Sequence, residues 1–172
     1  MASKIKVDQL ETADGTGTIA LQNQLSGMTS ASMPTGSVLQ VVHTEHSGFV
    51  TTTSTSWSTG MTGAITPSST SSKIVLMYCG QLLGTNQTDA QLKLFRGTLS
   101  GTSLPTSGGM LVNNFMTDTG DTVNASFHWL DSPSTTSSQT YTVAFRSSVS
   151  GQQVKFGNSS ARDSLILMEI AG

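Results

Sequence analysis

The segment "KIVLMYCG", residues 73–80, is apolar on both faces of the β-strand that it predicts. In an extended chain, alternate side chains point to opposite faces. One face carries Ile74, Leu76 and Tyr78, and the other carries Val75, Met77 and Cys79. The segment "SLILMEI", residues 164–170, repeats this pattern until Glu169. A two-layer sandwich leaves the outer face of each sheet in water, so two strands of this kind need a cover on their second face.

Short apolar runs recur along the chain from about residue 34, and Ser, Thr, Gly and Pro separate them. Ser and Thr fill about three positions in ten, well above ordinary usage. Disordered Ser/Thr-rich stalks lack such apolar runs, and helical periodicity of useful length is absent. The pattern therefore predicts an all-β domain over residues 34–172, a sandwich or jelly roll. The predicted strands are 37–43, 48–54, 61–66, 72–80, 89–96, 109–116, 122–131, 139–147, 152–156 and 163–171.

Two of these predicted strands show the alternation of a half-buried strand. The strand 139–147 places Tyr141, Val143 and Phe145 inside and Thr142, Ala144 and Arg146 outside. The strand 122–131 places Val123, Ala125, Phe127 and Trp129 on one face. The two strands that are apolar on both faces differ from this norm. A parallel sheet covered by helices would explain them, but no covering helix is predicted, so contact with sister chains is the remaining explanation.

Residues 1–33 contain too few apolar side chains to fold alone. We expect an extended arm that becomes ordered against sister chains or a docking partner. The apolar residues of this anchoring or trimerising arm are Ile5, Val7, Leu10, Ile19, Leu21 and Leu25.

Charge and cysteine content exclude several classes of protein. The formal net charge is −2, and the eight Lys and Arg residues form no basic run, so nucleic-acid binding is not expected. No stretch is long and apolar enough to span a bilayer, and the N-terminus lacks the apolar region of a signal peptide. Cys79 is the single cysteine, which we expect to be buried as a small apolar residue in a protein made in a reducing cytoplasm.

No catalytic motif emerges from the pattern of polar residues. The ten Asp and Glu residues fall mostly in predicted turns, where they act as turn formers. His43, Glu45 and His46 suggest a metal site, but at strand spacing His46 points away from the other two. His128 is expected at a subunit contact or in solvent, because no nucleophile motif accompanies it. We therefore expect no enzymatic activity, no metal and no cofactor.

Several segments resemble the C-terminal β-domains of virion structural proteins from tailed phages, especially marine phages. They are "AITPSSTSSKIVLMYCGQLLG", "AQLKLFRG", "FHWLDSPSTTSSQTYTVAFRSS" and "DSLILMEI", and "SKIKVDQLETADGTGTIAL" resembles the short segment that precedes such domains. The resemblance implies a homotrimeric knob with a jelly-roll or TNF-like sandwich. Because only about 30 residues precede the knob, it implies a short spike, a head fibre or a capsid decoration, not a long fibre.

The resemblance also implies a function and a set of partners. It predicts a non-enzymatic virion protein, assembled in the host cytoplasm, that binds copies of itself and other virion proteins such as capsid, portal, adaptor or tail. A host-surface glycan is a further expected partner. The side chains expected in the core or the trimer interface are Ile74, Val75, Leu76, Met77, Leu165, Ile166, Leu167 and Met168.

Trp57, in "TSTSWSTG", is the exposed aromatic residue best placed to contact a glycan, although ordinary filling of the core is the favoured explanation for it. Two other functions remain open from the sequence. One is a free carbohydrate- or receptor-binding β-sandwich that needs no arm. The other is a small depolymerase, which would require clustered carboxylates that the sequence does not offer.

Overall fold

The computed structural model describes residues 33–85 and 87–172, and this part of the chain folds into eleven β-strands without a helix. None of its segments is therefore a helix with the length and hydropathy needed to cross a membrane. The strands are β1 Val38–Ser47, β2 Val50–Thr52, β3 Ser58–Ile65, β4 Lys73–Gly84, β5 Thr88–Arg96, β6 Thr102–Leu104, β7 Val112–Met116, β8 Asp121–Asp131, β9 Gln139–Ser147, β10 Val154–Phe156 and β11 Arg162–Ile170.

The strands form two antiparallel sheets. In the first, here called the β4 sheet, β8 pairs with one side of β4, and β11 and β10 pair in succession with its other side. β1 then pairs with β11, and β2 pairs with β10. In the second, here called the β9 sheet, the order is β3, β9 and β5, and β6 and β7 both pair with the free side of β5. Each sheet is therefore four strands wide.

Strand order identifies the fold as a jelly roll. If β1 and β2, β6 and β7, and β10 and β11 are each counted as one interrupted strand, eight strands remain. Their order is then 1-8-3-6 in the β4 sheet and 2-7-4-5 in the β9 sheet. Two four-stranded antiparallel sheets with this interleaved order make the double Greek key of a jelly roll. The predicted all-β sandwich of jelly-roll type is confirmed.

The core lies between the two sheets and is built from their inner faces. Tyr78 stacks between Phe127 and Phe156, and the centroid of its ring lies 5.2 Å from that of Phe127 and 5.7 Å from that of Phe156. Gly80 leaves room for this arrangement, because a Cβ atom there would collide with the hydroxyl of Tyr78 and the carboxylate of Asp163. The other large side chains that are fully buried are Ile74, Leu76, Leu82, Leu92, Leu94, Met116, Tyr141, Phe145, Leu165 and Leu167.

The predicted strands agree with this structure in most places. The strand 139–147 coincides with β9, and its inner residues Tyr141, Val143 and Phe145 are buried as predicted. The short strand β6 has no counterpart in the prediction, and 48–54 shrinks to three residues in β2. The predicted arm lies almost entirely outside the described residues, with Ile5, Val7, Leu10, Ile19, Leu21 and Leu25, so the boundary near residue 33 stays a prediction.

Candidate assembly surface

The eight residues predicted for the core or the subunit interface divide evenly between the two faces of the β4 sheet. On the inner face, four side chains are fully buried: Ile74, Leu76, Leu165 and Leu167. On the outer face, four side chains face away from the β9 sheet: Val75, Met77, Ile166 and Met168. This alternation follows from the pleat of β4 and β11. Because it leaves apolar side chains on the outside of the sandwich, the outer face of the β4 sheet is the candidate site.

Strand register aligns the outer side chains into rows that cross the sheet. Val41 of β1 pairs with Met168, Met168 pairs with Val75, and Val75 pairs with Leu130 of β8. We call this line of four the apolar row. Val41 and Leu130 are 57% and 53% exposed, so the row lies open at both ends. An antiparallel sheet that faces water on its outer side normally carries polar residues there, and this row departs from that norm.

Two further rows follow in succession on one side of the apolar row. The histidine row runs from His43 through Ile166 and Met77 to His128, and Met77 is 45% exposed. The small-residue row runs from Glu45 through Ser164 and Cys79 to Ser126. The short side chains of Ser164, Cys79 and Ser126 border a depression of about 650 Å³, which Met77, Ile166 and His128 also line. Polarity therefore increases along the strands, from the apolar row to the small-residue row.

Cys79 lies in the small-residue row and is exposed. The prediction that it is buried was wrong, because β4 is apolar on both faces and its register puts Cys79 on the outer one. A run that is apolar on both sides cannot reveal which of its faces points to the core.

The histidines near the N-terminal end of the described chain do not form a ligand set. His43 shares the outer face with Glu45, and its Nε2 atom lies 2.8 Å from the hydroxyl oxygen of Ser164. His46 lies on the inner side, where its ring packs 5.5 Å from that of Phe156. Within residues 33–85 and 87–172, no three His, Cys, Asp or Glu side chains are grouped as a metal site requires.

Trp57 lies on the opposite side of the molecule, over the outer face of the β9 sheet. The guanidinium carbon of Arg146 is 4.4 Å from the centroid of the Trp57 ring, and Phe95 meets the ring edge-on at 6.4 Å. Lys93 Nζ is 5.6 Å from the same centroid. The indole is thus partly occupied by cation–π contacts within its own chain. A glycan contact at Trp57 stays a prediction, and it would have to use the part of the ring that these groups leave open.

Loops of the chain itself cover this outer face of the β9 sheet. Lys93 is only 8% exposed, and its ammonium group donates a hydrogen bond of 3.1 Å to the carbonyl of Gly108. Arg146 donates to the side-chain oxygen of Gln91 at 2.7 Å and to the carbonyl of Thr55 at 3.2 Å. The loops that hold Thr55 and Gly108 therefore close the outer face over a buried layer that includes Lys93 and Phe95.

Glu169 is buried on the inner side of β11 and binds the loop before β4. Its carboxylate accepts hydrogen bonds from the backbone N–H of Ser68 at 2.6 Å, from the hydroxyls of Ser68 and Ser72 at 2.7 Å, and from the side-chain amide of Gln40 at 2.6 Å. Burial alone would raise the pKa of Glu169, but these hydrogen bonds outweigh it and lower the pKa below its ordinary value of 4.5. The acid serves as an anchor for the loop.

Asp163, at the other end of β11, is fully buried. Burial raises the pKa of Asp163 above its ordinary value of 3.8, although the backbone N–H of Gln81 donates a 3.0 Å hydrogen bond to it. Its second oxygen is 3.4 Å from the hydroxyl of Tyr78. Both carboxylates on the inner side of β11 are thus engaged with neighbouring groups of the fold.

No protein-family model and no curated protein matches the chain. Solved structures of viral particles are similar to it at low identity. The structure of the Gx strain of infectious bursal disease virus is 13% identical, with a TM-score of 0.42, over 81% of this chain and 32% of that chain. The VP2 subviral particle of the same virus is 10% identical, with a TM-score of 0.40, over 77% of this chain and 37% of that chain.

A third similar structure, described as a CBM4, is 12% identical with a TM-score of 0.24, over 67% of this chain and 69% of that chain. The chain spans about a third of the length of the virus proteins that it matches. The jelly-roll assignment comes from the strand order of the two sheets and not from these likenesses.

Proposed function

We propose that the chain is a non-enzymatic structural protein of a viral particle, which forms homotrimers through the outer face of its β4 sheet. The observation that carries this proposal is the apolar row together with Met77 and Ile166 of the histidine row. These six apolar side chains lie side by side on the outside of a sandwich whose core is already complete. Contiguous apolar surface of this kind is typical of contacts with other proteins.

Identical copies are the partner that this face fits best. Charged residues make up only 10% of the chain, and the apolar and histidine rows contain no carboxylate, Lys or Arg. The core of a protein interface is likewise poor in charge. Copies of one chain associate in closed symmetric groups, in which every copy has its face covered. Burial of apolar surface contributes about 25 cal/mol per Å², so each covered face adds stability.

The sequence resemblance supports a place for this trimer on a virus particle. The segments similar to virion β-domains of tailed phages include β4 and β9, nearly all of β5 and β11, and the last five residues of β8, so they contribute to both sheets. In this proposal residues 1–33 attach the trimer to the particle, and the jelly roll projects from it as a short spike or capsid decoration. Host-surface glycans are the ligands that such a display would reach, with many weak contacts adding up to firm attachment.

The assembly is tested by placing a charge in the middle of the outer face. We expect the full chain to have the mass of a trimer in light scattering and Met168→Glu to have the mass of a monomer, because the new carboxylate would be buried between Val41 and Val75 without a partner. Thr62→Glu is the matched control, since Thr62 is exposed on the outer side of β3 in the β9 sheet. A wild-type chain that stays monomeric at high concentration would contradict the proposed assembly.

The place on a particle is tested on purified virus. Antibodies against the chain should label intact particles in electron microscopy, and the protein should remain with the particles through a density gradient. A protein found only in the unsedimented fraction would overturn the virion assignment and leave a free binding module as the explanation.

A further inference from the structure

The apolar row is too small to form a stable interface without its neighbours. The apolar row crosses four strands that are about 4.8 Å apart, and side chains on one face repeat about every 7 Å along a strand, so the row covers a flat area of roughly 130 Å². A stable interface buries about 800 Å² on each partner, which is several times more. The histidine row borders the apolar row and adds Met77 and Ile166 to the same apolar patch, so we extend the contact between copies to it. Both His43 and His128 then lie inside the contact.

Among the residues that the structure describes, the surroundings of His128 offer no countercharge. On β4 its outer-face neighbours are Val75, Met77 and Cys79, and on β8 they are Ser126 and Leu130. Cys79 is the only other titratable group among them. If a second copy removes water from this site, a protonated imidazole would be buried without a carboxylate, which is costly.

His43 has one acidic neighbour. On β11 it faces Ile166, with Ser164 and Met168 on either side, and on β1 its outer-face neighbours are Val41 and Glu45. Its Nε2 atom already lies 2.8 Å from the hydroxyl oxygen of Ser164. The nearest cations on this face, Lys73 and Arg162, lie two rows from the histidine row on either side, and they oppose protonation. Glu45 therefore offsets only part of the cost at one of the two histidines.

We infer that the contact between copies requires deprotonated His43 and His128, so that the assembly holds at neutral pH and comes apart in mild acid. This inference rests on the proposed assembly and specifies its regulation. The partner that fits is a second copy, because the apolar and histidine rows contain no carboxylate, Lys or Arg and are neutral when both histidines are deprotonated. Protonation gives both faces positive charge at once, so the copies then repel each other as well as paying for desolvation.

The test is the association of the full chain at pH 7.5 and pH 5.5, measured by sedimentation equilibrium over a range of concentrations. Because imidazole side chains change charge between pH 5 and pH 8, each histidine that must be neutral weakens association at the lower pH. We expect the dissociation constant to rise at least tenfold at pH 5.5. Circular dichroism at both pH values establishes that the chain is folded throughout.

The variant His43→Gln/His128→Gln assigns the effect to these side chains. It keeps two polar groups on the face but removes their titration, and we expect it to associate equally well at both pH values. His46 remains in this variant as an internal control, because it lies on the inner side of the sheet next to Phe156. If the double variant does not assemble, His43→Gln and His128→Gln alone should each retain about half of the logarithmic pH effect.

Three results would overturn the inference, and they differ in what they leave standing. If the wild-type chain associates equally strongly at both pH values, protonation does not control association, and the proposed assembly still stands. A wild-type chain that is monomeric already at pH 7.5 removes both. Loss of association at pH 5.5 that persists undiminished in the double or single variants assigns the control to another group, such as Glu45 or His46.

Discussion

The outer faces of the two sheets differ in how they are covered. On the β9 sheet, the loops that contain Trp57 and Gly108 lie over β5 and β9, and they bury the outward side chains Lys93 and Phe95. On the β4 sheet, the apolar row remains open, with Val41 and Leu130 more than half exposed. Within residues 33–85 and 87–172, loops of the chain thus cover the outer face of one sheet and leave that of the other open.

Apolar residues on the outer face of a sheet can be covered by loops of the same chain or by another copy of it. The residues of the nearby loops decide which of the two occurs. The cover of the β9 sheet is partly cationic, because Lys93 and Arg146 lie against the Trp57 ring. Cationic side chains pack their apolar stems on an aromatic ring and keep their charged ends near water, so such a layer can form the surface of a single chain. The apolar row has no such layer, and a dry contact with another copy suits it better.

The largest expected effect comes from removing the internal cover. Trp57→Ala should lower the free energy of unfolding by about 2–3 kcal/mol, because a half-buried indole is lost and Phe95 and Lys93 become exposed. Met77→Ala, on the open face, should change the unfolding of the isolated chain by less than about 0.5 kcal/mol. Urea denaturation at low protein concentration, where copies are separated, measures both.

Met77→Ala should instead weaken association between copies, which Trp57→Ala should leave unchanged as long as the chain is folded. If Met77→Ala destabilised the isolated chain as much as Trp57→Ala does, the open face would have a cover within the same chain. The contrast between the two sheets would then disappear.

Much of the fold was predictable from the sequence, because strand alternation is a local property. The alternation at 139–147 and 122–131 gave the inner faces of β9 and β8, and the turn residues between apolar runs gave most strand positions. The cover of the β9 sheet was not predictable. Lys93 and Gln91 look like outward residues of a half-buried strand, and their burial depends on loops whose path no periodicity describes. The strand β6 was missed because three polar-flanked residues carry no alternation.

The candidate assembly surface was predictable only in part. The two strands that are apolar on both faces were visible, and with them Val75, Met77, Ile166 and Met168. His128 was expected at a subunit contact or in solvent, and it is exposed. The other ends of the rows were missed, because Val41, His43 and Leu130 come from segments far apart in the chain and meet only through register across four strands. Alternation in "VVHTEHS" was the one available signal, and it gave the face of His43 without its neighbours.

A smaller effect is expected at the two acids that lie on the inner side of β11. Because hydrogen bonds hold the pKa of Glu169 below 4.5, its stabilisation is present above that pH and is lost as pH falls through the lowered pKa. Burial holds the pKa of Asp163 above 3.8, so its contribution is complete below that pH and is lost as pH rises through the raised pKa. The two acids therefore change stability in opposite directions.

Glu169→Gln should cost about 1–3 kcal/mol at pH 7, because the amide cannot accept all the hydrogen bonds from Ser68, Ser72 and Gln40, and this cost should shrink in acid. Asp163→Asn should change stability by less than about 1 kcal/mol at pH 7, since the amide oxygen can still accept from the Gln81 N–H and no buried charge remains. Denaturation of both variants between pH 3 and pH 7 measures the slopes. The difference in unfolding free energy between wild type and Glu169→Gln should grow as pH rises, and that for Asp163→Asn should change in the opposite direction. If both differences changed with pH in the same direction, the two acids would play the same part in the fold.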